Sequence, residues 1–127
     1  MSEQHRVLVV DDERGIQIVL QEILELEGYV VRLASDGLEA LDALTEWRPH
    51  VILLDLMMPR MDGSAFRAEQ QELAEDVRSI PVIVVSGAHD AQQRADAVQA
   101  AAFIPKPFDL DHITNTVQRV IETHTAG

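Results

Sequence analysis

The chain contains no cysteine. Disulfide frameworks, thiolate zinc sites and cysteine nucleophiles are therefore excluded. No apolar run approaches the ~18 residues that a transmembrane helix requires. Basic residues are scarce: 10 lysines and arginines stand against 22 acidic residues, a formal net charge of −12. Such a chain repels nucleic acid and anionic membrane at long range, and it favours cations and basic partners. Neither G-x-G-x-x-G nor G-x-x-x-x-G-K-[ST] occurs, which removes the common glycine-rich phosphate loops. No apolar signal region stands behind Met1-Ser2-Glu3-Gln4-His5-Arg6, so a reducing, cytoplasmic setting is expected.

What is present describes one globular domain. A chain of 127 residues can bury roughly two-thirds of its unfolded surface around a single core. Five short apolar runs recur: Val7-Leu8-Val9-Val10, residues 30–34, Val51-Ile52-Leu53-Leu54, Val82-Ile83-Val84-Val85 and Ala102-Phe103-Ile104. Three are continuous and rich in β-branched residues, as strands covered on both faces must be. Between them lie stretches of helical spacing. The positions 16, 19, 20, 23 and 24 share one face and Gly28 can stop that helix. Positions 38, 41 and 44 follow Asp36, an available N-cap, and Pro49 stands beyond. Further helices are expected over about 64–74, over about 90–100, and from Leu110 through 113, 117, 120 and 121, with Asp109 as cap. Five βα units require right-handed crossovers and predict an α/β, doubly wound, five-stranded parallel sheet, flavodoxin-like, of strand order 2-1-3-4-5. The expected domain covers 5–122. Residues 1–4 and 123–127 are read as short terminal extensions, the last of them frayed.

In such sheets ligands bind beyond the carboxyl ends of the strands. Asp11, Asp12 and Glu13 follow the first run, Asp55 the third, Ser86 the fourth, and Lys106 and Pro107 the fifth. The expected strand order makes these ends neighbours. Clustered carboxylates repel unless a cation joins them, and a set of hard oxygens suits Mg²⁺. With Lys106 the cation can neutralise a phosphoryl group, and Ser86 can donate a hydrogen bond to it. Asp55 is then a candidate nucleophile. Taken singly, an Asp after a strand also serves as a helix cap.

The joint pattern resembles the receiver domain of two-component response regulators over about residues 5–122. The motifs that carry it are Val9-Val10-Asp11-Asp12-Glu13, Asp36-Gly37, Leu53-Leu54-Asp55-Leu56-Met57-Met58-Pro59, Met61-Asp62-Gly63, Pro81-Val82-Ile83-Val84-Val85-Ser86-Gly87 and Phe103-Ile104-Pro105-Lys106-Pro107-Phe108. The resemblance implies an aspartyl-phosphate switch with Asp55 as phosphoacceptor. It implies Mg²⁺ held by Asp12, Asp55 and the Met57 carbonyl, with Asp11 acting through water. Ser86 and Lys106 would hold phosphoryl oxygens, and the Lys106–Pro107 bond would be cis. Phe103 would be the switch residue, without the hydroxyl that relatives with Tyr carry there. Met57 and Ala88 would flank the approach of water. The implied partners are a sensor histidine kinase or phosphotransfer protein and a downstream effector protein or domain. The output and possible homodimer surface is the fourth helix, fifth strand and fifth helix. No direct nucleic-acid or membrane contact is expected, and no enzymatic role beyond the domain's own phosphorylation and dephosphorylation.

Three other readings compete. A haloacid dehalogenase-like phosphatase would carry its nucleophile after the first strand, with a second Asp two residues on, whereas Met57 stands two after Asp55. A flavodoxin-type cofactor binder would not place Asp11-Asp12-Glu13 where a flavin phosphate must sit. A degenerate receiver used as a scaffold would not need all five chemical positions. Elsewhere, the histidines at 5, 50, 89, 112 and 124 lack metal spacing and read as surface residues. Trp47, Tyr29 and Phe66 read as packing residues, and Met57, Met58 and Met61 as loop packing or a mobile apolar contact. Leu26 and Ile16 are expected to contribute to a kinase-docking patch.

Overall fold

A computed structural model describes residues 4–125. Strands β1 (Arg6–Val10), β2 (Val30–Ala34), β3 (Val51–Leu54), β4 (Val82–Ser86) and β5 (Ala102–Pro105) form one sheet. All pairings are parallel and the order is β2-β1-β3-β4-β5, as the pattern predicts. Helices α1 (Arg14–Leu26), α2 (Gly37–Leu44), α3 (Gly63–Gln71), α4 (Glu75–Arg78), α5 (Ala91–Ala97) and α6 (Leu110–Thr125) connect and follow the strands.

Alternation along the strands builds two aliphatic layers. Leu8, Val10, Ile52, Leu54, Val82 and Val84 point to one face, where α2, α3, α4 and α5 pack through Ala40, Leu44, Phe66, Val77 and Ala95. Val7, Val9, Val51, Leu53, Ile83 and Val85 point to the other, under Leu20 and Leu24 of α1 and Ile113, Val117, Val120 and Ile121 of α6. Because both faces are covered, the three central strands are continuously apolar. Trp47 and Tyr29 are half-buried against these layers.

Helix ends follow the expected signals. Asp36 accepts from the Glu39 N–H and caps α2 as expected; Asp62, not singled out as a cap in the sequence, caps α3 through the Ala65 N–H. The Asp109 carboxylate accepts from the Asp111 N–H at the start of α6. Gly28, at φ +92°, ends α1 in the left-handed region that glycine adopts without strain.

Several expectations are corrected. The helix expected over 64–74 ends at Gln71, and a separate one-turn helix, α4, precedes β4. Gln70 holds that break: its buried amide donates to the Val77 and Ile80 carbonyls. The helix expected over 90–100 is confined to Ala91–Ala97, where Ala91 and Ala95 are its only buried positions. The last helix runs to Thr125, into the stretch expected to fray; residues 1–3 and 126–127 lie outside the described residues. On α1, Val19 is 41% exposed although the spacing put it on the core face, while Ile16 is half-buried against the core. The exposed apolar stripe of α1 is therefore Ile18, Val19 and Leu26, the last 88% exposed. His5 and His50 are half-buried rather than superficial: their rings meet edge-to-face at 4.7 Å, and the Arg6 N–H donates to His50 Nδ1.

Candidate functional site

The sheet's hydrogen-bond ladder extends one residue past each of two central strands. The Asp11 N–H donates to the Ala34 carbonyl at 3.1 Å, and the Asp55 N–H to the Val10 carbonyl at 2.9 Å. These bonds fix both carboxylates at the carboxyl edge, side by side. On the other flank the Lys106 N–H donates to the Ser86 carbonyl at 3.1 Å. The Lys106–Pro107 bond is cis.

Lys106 Nζ lies 2.8 Å from Asp11 Oδ2, 3.2 Å from Asp55 Oδ2 and 3.6 Å from Glu13 Oε1. Asp11 is 2% exposed and Asp55 5%. Asp12 is exposed at the rim. Asp11, Asp12 and Asp55 each bring a carboxylate oxygen to within 4.8 Å of the others. The Met57 N–H donates to Asp55 Oδ1 at 3.2 Å and the Glu13 N–H to Asp11 Oδ1 at 2.9 Å. The cleft above them holds about 290 Å³ and is lined by Asp12, Glu13, Asp55, Met57, Ser86, Gly87, Ala88 and Lys106.

Burial pushes the Asp11 carboxyl above its ordinary value of 3.8, against the hydrogen bonds from Lys106 and Glu13, and the Asp55 charge adds to the rise. Burial alone would lower Lys106, but its hydrogen bonds and charge pairing with Asp11 and Asp55 hold the ammonium above 10.5. One cation thus serves three close carboxylates. A second cation would relieve the remaining repulsion, and three hard oxygens at an open cleft fit a divalent ion that keeps part of its hydration.

Ser86 is buried, and its Oγ accepts from the Ala88 N–H at 3.4 Å. Phe103 is half-buried against the core on β5 and pairs in register with Val84, two residues before Ser86. Met58 and Met61 pack on the core, whereas Met57 is 56% exposed. A larger cavity of about 580 Å³ lies at the other end of the sheet, around Gln4, His5, Tyr29 and Gln118. No group of metal-ligating side chains collects there among the described residues.

Two arginines escaped the sequence reading. Arg60, in the β3–α3 loop at φ +62°, donates from Nε to Asp36 Oδ2 at 2.6 Å and also ion-pairs through Nη2. Burial would raise Asp36, but the Glu39 N–H and Arg60 outweigh it and hold this carboxyl below 3.8. The Gly37 N–H donates to the Met61 carbonyl, so the loop after Asp55 is tied to the start of α2. Arg94 of α5 donates to Sδ of Met57, one of the residues lining the cleft, at 3.0 Å. Neither contact has a local signal, because each joins residues more than 20 positions apart.

Gly63 explains how α3 approaches the site. A Cβ there would lie 2.7 Å from the Asp55 carbonyl oxygen and 2.8 Å from Leu56 Cα. Only glycine lets the first turn of α3 abut the end of β3.

A doubly wound parallel sheet with paired acids, a serine and a lysine at adjacent strand ends defines the receiver class of signalling domain. Residues 7–118 match the response regulator receiver domain, and the chain belongs to that family. It is 36% identical over 116 residues to sporulation initiation phosphotransferase F of Bacillus subtilis, covering 91% of this chain and 93% of that protein. It is 37% identical over 110 residues to the response regulator MprA of a Mycobacterium species, covering 85% of this chain but 46% of that one. The chain therefore spans about half the length of that regulator. Among solved structures, chemotaxis response regulator CheY4 of Vibrio cholerae superposes with a TM-score of 0.85 at 31% identity, over 93% of this chain and 99% of that one. The chain is thus a receiver domain of two-component signalling with a regulatory role. Among the described residues, no helix is long and apolar enough to cross a membrane.

Proposed function

We propose that Asp55 is the phosphoacceptor of this receiver domain, which spans residues 5–122 and acts in the cytoplasm. The observation that carries the reading is the approach of Lys106 Nζ to both Asp11 and Asp55 inside a cleft bordered by Ser86. Asp12, Asp55 and the Met57 carbonyl would hold Mg²⁺, with Asp11 acting through water. Bound there, the ion supplies positive charge to the oxygens of a transferring phosphoryl group.

The chain's own residues do the rest. A phosphohistidine of a sensor kinase or phosphotransfer protein enters the cleft. An Asp55 carboxylate oxygen forms the new bond to phosphorus as the P–N bond breaks, and the electron pair returns to the imidazole, which then takes a proton. Lys106 neutralises one phosphoryl oxygen and the Ser86 hydroxyl donates to another. The added charge of about −1.5 to −2 draws Ser86 and its loop toward the phosphoryl group. Space opens behind Ser86, and Phe103 turns into it. The face made by α5, β5 and α6, which corresponds to the fourth helix, fifth strand and fifth helix of the sequence reading, then binds an effector protein or domain, or a second copy.

Incubation with acetyl phosphate and Mg²⁺, followed by intact-mass spectrometry, tests the reading. The wild type gains one phosphoryl group and Asp55→Asn gains none, because an amide is not a nucleophile here. Equal gain in both proteins refutes it.

A further inference from the structure

Met57 reaches into the open mouth of the cleft and is itself largely exposed. A methionine this exposed has three rotatable bonds and little packing to order it. It is nevertheless held: Arg94 Nη1 donates to its Sδ at 3.0 Å. The contact runs from α5, after β4, to the loop after β3, and Met57 lines the same cleft as Ser86, Gly87 and Ala88. Arg94 Nη1 also lies 4.0 Å from a carboxylate oxygen of Asp90, one turn earlier.

We propose that Arg94 is a positioning residue that keeps the Met57 side chain across the mouth of the cleft and so slows the access of water to phosphorylated Asp55. The proposal rests on the assignment of Asp55 as acceptor. In the reaction it restrains, the oxygen of water forms a bond to phosphorus and the P–O bond to Asp55 breaks. The electron pair returns to the carboxylate, and both hydrogens of the water leave on dihydrogen phosphate. The water must lie in line with the breaking bond. A thioether held over that line excludes it sterically and cannot orient it, since sulfur is a weak acceptor and no donor. Arg94 also ties this shield to α5, so a partner that moves α5 changes the lifetime of the phosphorylated state.

A double-mutant cycle decides it. Arg94→Ala keeps a good helix former in α5, and Met57→Leu keeps apolar bulk while removing the acceptor sulfur. With Mg²⁺ present, each is expected to shorten the half-life of phosphorylated Asp55 at least threefold, and the double variant no further than the faster single one. An unchanged half-life in either single variant overturns the proposal. So does an Arg94→Ala effect that persists in the Met57→Leu background, which would mean that Arg94 acts without the sulfur. The Met57 methyl resonance of unphosphorylated protein gives an independent reading. Arg94→Ala should shift and sharpen it, and an unaltered signal overturns the proposal. Should the wild type take no phosphoryl group, the acceptor assignment falls, while the methyl signal still decides whether Arg94 holds Met57.

Discussion

Replacing Lys106 with methionine removes the one ammonium that faces Asp11, Asp55 and Glu13. The Lys106 side chain is 14% exposed and its two closest partners are nearly inaccessible. Breaking a buried pair by deleting one partner costs about 3–5 kcal/mol, because a desolvated charge is left behind. The open mouth of the cleft argues for the low end, about 3 kcal/mol at neutral pH. At roughly 4 °C per kcal/mol for a domain of this size, the metal-free melting temperature falls by about 12 °C. The loss is expected to depend on pH. The Asp11 carboxyl is already raised by burial in the wild type, and removing Lys106 raises it further. Below its folded-state value this carboxyl takes a proton and the repulsion disappears. The deficit of Lys106→Met therefore shrinks as the pH falls through that folded-state value. Mg²⁺ is expected to restore part of the loss, since a ligand of the folded state stabilises by about 2.7 kcal/mol at a hundredfold excess over its Kd. Scanning calorimetry from pH 4 to 7.5, with EDTA or Mg²⁺, measures both effects. A deficit that is absent, or the same at every pH, refutes the electrostatic reasoning.

Asp12→Ala is expected to remove most of the stabilisation by Mg²⁺ and to raise slightly the melting temperature of the metal-free protein; a variant that responds to Mg²⁺ like wild type excludes Asp12 as a ligand. Met57→Asn with Ala88→Glu places polar groups where water approaches, and the phosphorylated state should decay about tenfold faster if ordering the water lowers the barrier by roughly 1.4 kcal/mol; an unchanged decay rate means these side chains do not govern water. Gly63→Ala drives a methyl against the Asp55 carbonyl and the Leu56 backbone, at about 1–3 kcal/mol, and chemical unfolding should show the loss even though alanine favours helix. Asp36, held below 3.8 by the Glu39 N–H and Arg60, contributes stability above pH ~4 that disappears as the pH falls through its folded-state value; Arg60→Ala should shift the onset of acid unfolding to higher pH.

The repeated β-branched runs and the helical spacing between them were enough to determine the sheet, its order and its two-sided burial. A strand covered on both faces leaves an uninterrupted apolar record, and parallel strands leave few topologies open. The acids, serine and lysine at the site were legible for a related reason: each directly follows a strand, and the strand order alone makes those ends neighbours. Local pattern failed where tertiary contact overrides it. The break between α3 and α4 depends on the Gln70 amide satisfying two carbonyls in the following segment. Val19 lies at a helical interval from buried residues, yet the core takes Ile16, Leu20, Ile23 and Leu24 of α1 and leaves Val19 41% exposed. His5 and His50 meet only because the strand edges bring residues 45 positions apart together. The same holds at the cleft. The sequence shows Met57 two residues after Asp55, but only the packing of α5 beside the β3–α3 loop brings Arg94 onto its sulfur, and only the ladder bonds of Asp11 and Asp55 put both carboxylates within reach of one ammonium. Backbone periodicity is a local property and is written along the chain; which side chains meet across strand ends depends on distances that exist only after the layers have closed.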